Sequence, residues 1–290
     1  MENNSIIKTS KGVKGYIMEM TCKLGKIEIL LPDASTSYFF IDDDLAELFN
    51  LKTNNEALKL LRKTIREKVE PNIYKRIGFD YESSAVIIRT TNAEFILEIA
   101  LIINEIAKVS LAEQEIGIVK NQLLSHKRPK KQKWEVGDIF QIPLENGTHA
   151  FGQIVWKDYT HPVCGLFDIN KTEIPSLVEI MSYPFISILS LTPNSLDNHR
   201  WKVLGNTNVR IQKEDVPKEF NGTDCIGARS FSSGTLEDLA NAVYGVKPWN
   251  VFAEEDYFDQ ILLPSIKRPL TAKVLSLSER NPYRKEKKWE

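Results

Sequence analysis

Apart from Pro129, the stretch from Ser125 to Lys133, SHKRPKKQK, is wholly polar or charged, with Lys or Arg at five of the eight positions from His126 to Lys133. Such a run cannot bury enough apolar surface to offset the entropy of ordering it, so it reads as a linker. It divides the 290-residue chain into two parts, each long enough to bury a core of its own. The expected layout is an α+β domain over 1–125, a basic linker over 126–133, a β-rich domain over 134–276 and a charged, loose tail over 277–290.

The first part has the texture of a small sheet with helices. Residues 16–31, YIMEMTCKLGKIEILL, predict two short strands about a turn at Gly25, closed by Pro32. Asp42 can cap a helix over 43–50, since a carboxylate there accepts an orphan backbone N–H. A second helix is expected over 54–68. Ala57, Leu60, Leu61, Thr64 and Ile65 share its inner face, while Lys59, Arg62, Lys63, Arg66 and Lys68 point outward. Residues 73–90 predict a hairpin turning near Glu82-Ser83-Ser84, from their β-branched and aromatic residues. Asn92 then caps a long helix over 93–124, with Phe95, Ile96, Ile99, Ile102, Ile103 and Ile106 at helical spacing.

From Trp134 the pattern changes to strand. WEVGDIFQIPL alternates, Asn146-Gly147 supplies the signature of a type I′ hairpin turn, and HAFGQIVW returns as the partner strand. CGLFDI, FISILSL, RWKVLG and VRI follow as short strands separated by Pro, Asn and Gly. This spacing predicts a mainly β barrel- or sandwich-like domain, with one or two short helices near Glu237–Tyr244 and over 254–263.

Composition excludes little beyond extremes. The net charge of −1 shows no global bias toward nucleic acid or anionic membrane. Cys22, Cys164 and Cys225 are sparse and odd in number, which implies no disulfide framework and fits a reducing compartment. The N-terminus lacks the apolar core of a secretion signal, and the most apolar stretch, Phe95–Val109, is interrupted by charge. A cytoplasmic protein without membrane attachment is expected.

Catalytic signatures are missing. The glycines Gly222, Gly227 and Gly234 fit neither phosphate-binding fingerprint. His161 and Cys164 form one HxxC pair, but Cys225 and His199 stand alone, so no metal site is expected. His126, His149, His161 and His199 have no nucleophile motif beside them, and Ser232 and Ser233 read as helix-start residues. No cofactor is called for. The acidic runs Asp42-Asp43-Asp44 and Glu254-Glu255-Asp256 suit helix starts, or an acidic surface that meets a basic partner.

One segment resembles a known family. Gly137-Asp138, Phe140, Ile142-Pro143-Leu144, Gly147 and Phe151-Gly152-Gln153-Ile154 follow the opening hairpin of the immunity protein 26 family of bacterial polymorphic toxin systems. Trp201 with Gly205, then Pro248-Trp249 and Asp256-Tyr257-Phe258, are similar to its later positions, so the resemblance spans about 134–263. It implies a β-rich, non-catalytic protein that neutralises a cognate toxin, a protein encoded by a neighbouring gene. Residues 1–125 resemble no family. The expected toxin-binding residues are Trp249, Glu254, Glu255, Asp256, Tyr257 and Phe258, with the aromatics open to a second role as core. The alternative is a nucleic-acid-binding module built on a small β-barrel and the basic linker.

Overall fold

A computed structural model describes residues 21–158, 161–211 and 230–287. The described chain divides into two compact units between Lys130 and Lys131. The start of the strand pair expected from residue 16, the glycines Gly222 and Gly227, and Cys225 lie outside the described residues.

The first unit is a five-stranded antiparallel sheet covered by helices. β1 (Thr21–Leu24) and β2 (Ile27–Leu30) form a two-residue hairpin with Gly25 at φ +59°. Only a residue without Cβ adopts this first turn position at no cost. β3 (Phe39–Asp43), β4 (Gly78–Tyr81) and β5 (Val86–Thr90) complete the order β1-β2-β3-β5-β4. Helices α1 (Leu45–Phe49), α2 (Asn54–Lys68), α3 (Pro71–Tyr74), α4 (Ala93–Ile106) and α5 (Glu113–Ser125) connect and cover the strands. Ala57, Leu61 and Ile65 of α2 and Ile96, Ile99 and Ile103 of α4 are buried against Leu24, Ile27, Ile41 and Ile88 of the sheet.

Several expectations change here: Ile73 and Tyr74, expected in a hairpin strand, belong to α3, and Leu60, expected on the inner face of α2, is exposed. Asp42 and Asp43 lie in β3, opposite Ile87 and Val86, and Asp44 is the cap, its Oδ1 accepting the Glu47 N–H at 3.0 Å. The preceding Phe-Phe-Ile pairs with VIIRT, and that pairing draws the first two aspartates into the strand. The helix expected over 93–124 is two helices. Lys108 turns left-handed at φ +57°, which ends α4. Asn104, buried near that end, donates Nδ2 to Leu24 O and Ala100 O and thereby fastens the β1–β2 hairpin. The basic segment also docks on this unit. Nε2 of His126 donates to Pro32 O at 2.7 Å, and Arg128 donates to the carbonyls of Asp33 and Ala34.

The second unit is built on another antiparallel sheet, in the order β10-β6-β7-β8-β9. Its strands are β6 (Asp138–Pro143), β7 (His149–Asp158), β8 (His161–Lys171), β9 (Phe185–Ser190) and β10 (Val203–Asn206). The mainly β character holds, and the sheet is open rather than closed on itself. Both faces are covered. Phe140, Ile142, Ile154 and Leu166 meet one apolar cluster, and Ile139, Phe151, Val155 and Phe167 meet another. β9 is buried at all six positions. A sheet covered on both sides loses the clean alternation of a half-exposed one.

The turn between β6 and β7 departs from the expected type I′. Leu144 and Thr148 pair around the three residues Glu145-Asn146-Gly147, and Gly147 alone of these takes positive φ, at +84°. That is the three-residue connection with a glycine bulge. VRI forms no strand in the described residues. More helix is present than expected: α6 (Leu177–Ser182), α7 (Asn194–Asp197), α8 (Ser233–Val243), α9 (Tyr257–Gln260) and α10 (Leu277–Glu286).

The described part of the tail is helical and tied down, in contrast to the loose tail expected. Glu279 accepts the Ser276 N–H at 2.9 Å, one half of a capping box. Arg280, buried, donates to Asn250 O, Phe252 O and Ala253 O. These bonds attach α10 to the loop before α9.

Candidate functional site

The residues that carry the family resemblance are occupied in holding the sheet together. Gly137 sits at φ +93°, where a Cβ would fall 2.5 Å from Thr207 O. The next residue, Asp138, is buried and accepts from the Glu135 N–H and from Asn206 Nδ2. Gln153, also buried, directs Nε2 at Gly137 O, Thr207 Oγ1 and Asn208 O. The pairs Gly137-Asp138 and Gly152-Gln153, fifteen residues apart in sequence, therefore close one junction at the start of β6. Gly152 leaves room for the Phe140 ring, which stacks on Trp201. Gly205 leaves room for Leu177, whose Cδ1 would lie 2.8 Å from an added Cβ. These are folding roles.

The expected binding residues separate into two groups. Trp249 and Phe258 are fully buried, 0 % exposed, and lie edge to face at 5.5 Å. Their expected role as contact residues is corrected by that burial, because a partner cannot reach a side chain closed inside the core. Tyr257 is half-buried and packs on Phe252 with ring centroids 4.7 Å apart. Glu254, Glu255 and Asp256 are exposed. Gln260 Nε2 donates to both Glu254 Oε2 and Asp256 Oδ1 at 3.2 Å, which joins the first and last acid of the run. The result is a carboxylate rim seated on an aromatic floor.

Residues that sequence reasoning did not single out hold this rim from below. Asp259 accepts the Trp249 indole N–H at 3.0 Å and two hydrogen bonds from Arg268. Arg268 also covers the Trp249 ring at 5.6 Å. Burial alone raises the Asp259 pKa, but the bonds from Arg268 and Trp249 and the guanidinium charge outweigh it and hold the carboxyl below its ordinary range. Arg280 adds a pair with Glu255 at 3.2 Å. The Ser-x-x-Glu pattern at 276–279 was the available signal that a helix begins there.

A second charged group locks the β6–β7 turn. Lys247 pairs with Glu145 at 2.8 Å and Asp238 at 2.6 Å. Burial lowers the Lys247 pKa, yet the two carboxylates overcome it and keep the amine charged. Asn241, wholly buried, accepts the Glu145 N–H through Oδ1 at 3.0 Å.

Of the reactive side chains considered from sequence, the two described cysteines are both buried. Cys164 is wholly buried in β8, and burial raises its thiol pKa. Cys22 is pushed up to about 11, by burial and then by Glu28. The Ser233 hydroxyl accepts from Ser195 Oγ at 2.7 Å. Among the described residues no three His, Cys, Asp or Glu side chains are grouped to hold a metal ion. At the far end of the basic segment, Lys131 pairs with Asp197 at 2.5 Å, and Gln132 donates to Leu196 O and Trp201 O. Among the described residues no helix is long and apolar enough to cross a membrane.

Fold and surface together define an α+β scaffold whose motif residues maintain the sheet and whose acidic rim faces outward. Residues 135–230, about a third of the chain, match the family model of immunity protein 26. No curated protein and no solved structure matches the chain.

Proposed function

We propose that this chain is an immunity protein: it binds a cognate bacterial toxin in the cytoplasm and neutralises it by protein–protein contact, without catalysis. The observation that carries this reading is the match of residues 135–230 to immunity protein 26. The layout of the second unit supports it, because the matched motif is absorbed by the scaffold and the surface near α9 remains open for a partner. In this reading Glu254, Glu255 and Asp256 make the charged contact and Tyr257 lies beside them. Trp249 and Phe258 act beneath them, as the packed base that keeps the rim in place. A carboxylate rim fits a toxin with a basic substrate cleft, such as a nuclease, since opposite potentials speed encounter and fix orientation.

The test is co-expression with the product of the adjacent gene. If that product is toxic alone, cells carrying both genes grow, and the two proteins co-purify. A neighbour that stays fully lethal in the presence of this protein overturns the reading.

A further inference from the structure

The first unit, which lies outside the matched segment, carries a surface of its own. Lys59, Arg62, Lys63 and Arg66 stand on one face of α2 and line a shallow groove of about 390 Å³ with Glu67. Residues three and four apart on a helix are neighbours, so these cations form a strip. Lys59, Lys63 and Arg66 are exposed and Arg62 is half-buried. None of the four pairs with a carboxylate among the described residues.

The arginines are held by rings. The Arg62 guanidinium lies 5.2 Å from the centroid of Phe79, and that of Arg66 lies 4.8 Å from Tyr74. Arg62 also donates weakly to Phe79 O at 3.5 Å, and its Nε is buried without a partner. Stacking fixes a guanidinium without cancelling its charge. Between Lys59 and Arg76 the chain has seven cations, Lys59, Arg62, Lys63, Arg66, Lys68, Lys75 and Arg76, against Glu67 and Glu70. Lys68 is neutralised by Glu105 at 2.5 Å, outside the groove.

We propose that this face of α2 binds the phosphate backbone of nucleic acid. Two features favour phosphates over an acidic protein. Protein interfaces are depleted in lysine and built around apolar or aromatic anchors, whereas the two aromatic rings here already serve as seats for arginines. Fixed guanidiniums and mobile ammoniums in one open strip suit a repeating anion, with orientation from Arg and charge from Lys. The site is independent of the toxin-binding reading, which concerns the other unit.

The experiment is fluorescence anisotropy of the full chain with labelled 20-nucleotide single-stranded RNA, single-stranded DNA and duplex DNA, at 50 and 200 mM salt. Four phosphate contacts predict a roughly 50- to 150-fold loss of affinity across that range. The variant Lys59→Gln/Arg62→Gln/Lys63→Gln/Arg66→Gln abolishes the binding. Lys59→Glu/Lys63→Glu, which leaves both ring-stacked arginines in place, weakens it at least tenfold with unchanged circular dichroism and thermal unfolding. Lys120→Gln/Lys127→Gln, which removes charge elsewhere in the unit, leaves it within about twofold. No binding at 50 mM salt overturns the proposal, as does equal loss in the Lys120/Lys127 control. Equally tight binding of poly-glutamate reassigns the face to acidic protein and overturns it too.

Discussion

The ring of Phe140 lies flat against the indole of Trp201, with centroids 5.1 Å apart and planes 4° from parallel. Both are fully buried, and Gly152 on the neighbouring strand is what admits the phenyl ring. A Cβ there would fall 2.5 Å from Phe140 Cζ and 2.9 Å from Gly165 O. Gly152→Ala must displace the stack, and overpacking of this kind costs about 1–3 kcal/mol. Trp201→Ala leaves a large cavity and costs about 3–5 kcal/mol. Gly117→Ala is the contrast, since nothing lies within 4 Å of its Cβ position in α5 and alanine should stabilise that helix by about 0.5–1 kcal/mol. Urea unfolding measures all three. A Gly152→Ala midpoint equal to wild type would refute the crowding.

Gln153 makes a separate prediction, because its amide faces three acceptors at one junction. Gln153→Leu leaves these oxygens without the donor and should cost about 1–3 kcal/mol. Gln153→Glu is nearly isosteric, yet it points a carboxylate at the same acceptors, so its loss is expected to exceed that of leucine near neutral pH. The two variants compared at pH 7 decide this. If glutamate is tolerated better than leucine, the amide is not the donor that closes the junction.

Legibility in the sequence followed how local each cause was. The span of α2 was readable, since Ala57, Leu61 and Ile65 repeat at helical spacing and a break follows at Pro71, but its inner face was not read residue by residue: Leu60, expected inside, is exposed, and Leu58 is buried instead. Asp42 and Asp43 misled because an acid before an apolar run resembles a cap, and only pairing with Ile87 and Val86 shows them to be strand. The break in the expected 93–124 helix depends on Lys108 turning left-handed, which side-chain periodicity does not report. Trp249 and Phe258 illustrate the limit at the candidate site. An aromatic residue beside acids has the composition of an interface anchor and of a core lining alike, and burial distinguishes them. Arg268 on Trp249 and Arg280 on the Asn250–Ala253 carbonyls act across turns between separate elements, where no spacing rule applies.

That division of the site predicts two distinct mutant phenotypes. Trp249→Ala should lower stability by about 3–5 kcal/mol and impair neutralisation only through loss of fold. Glu254→Gln/Asp256→Asn should leave the thermal midpoint within about 2 °C, since exposed charges of this kind contribute little to stability. The same double variant should slow association with a basic toxin, and the difference should shrink as salt rises. Thermal unfolding together with association rates at two ionic strengths separates the cases. A double variant that associates at the wild-type rate at low salt would remove the rim from the interface.

Asp259 sets the acid limit of the same region. Its carboxylate accepts from Trp249 and Arg268, and its pKa in the folded chain lies below the value of about 3.9 expected when unfolded. A depressed carboxylate contributes stability that is fully present above the unfolded pKa and is lost as pH falls through the folded one. Asp259→Asn keeps the shape and removes the ionised partner of Arg268. The variant should therefore be less stable than wild type by a constant margin from pH 7 to about pH 5, and the margin should narrow below about pH 4. Urea unfolding across that range reads the margin directly. A margin that stays flat down to about pH 2.5 would mean that the ionised carboxylate contributes nothing to this contact. The loss in Asp259→Asn would then come from the geometry of the Trp249 bond alone.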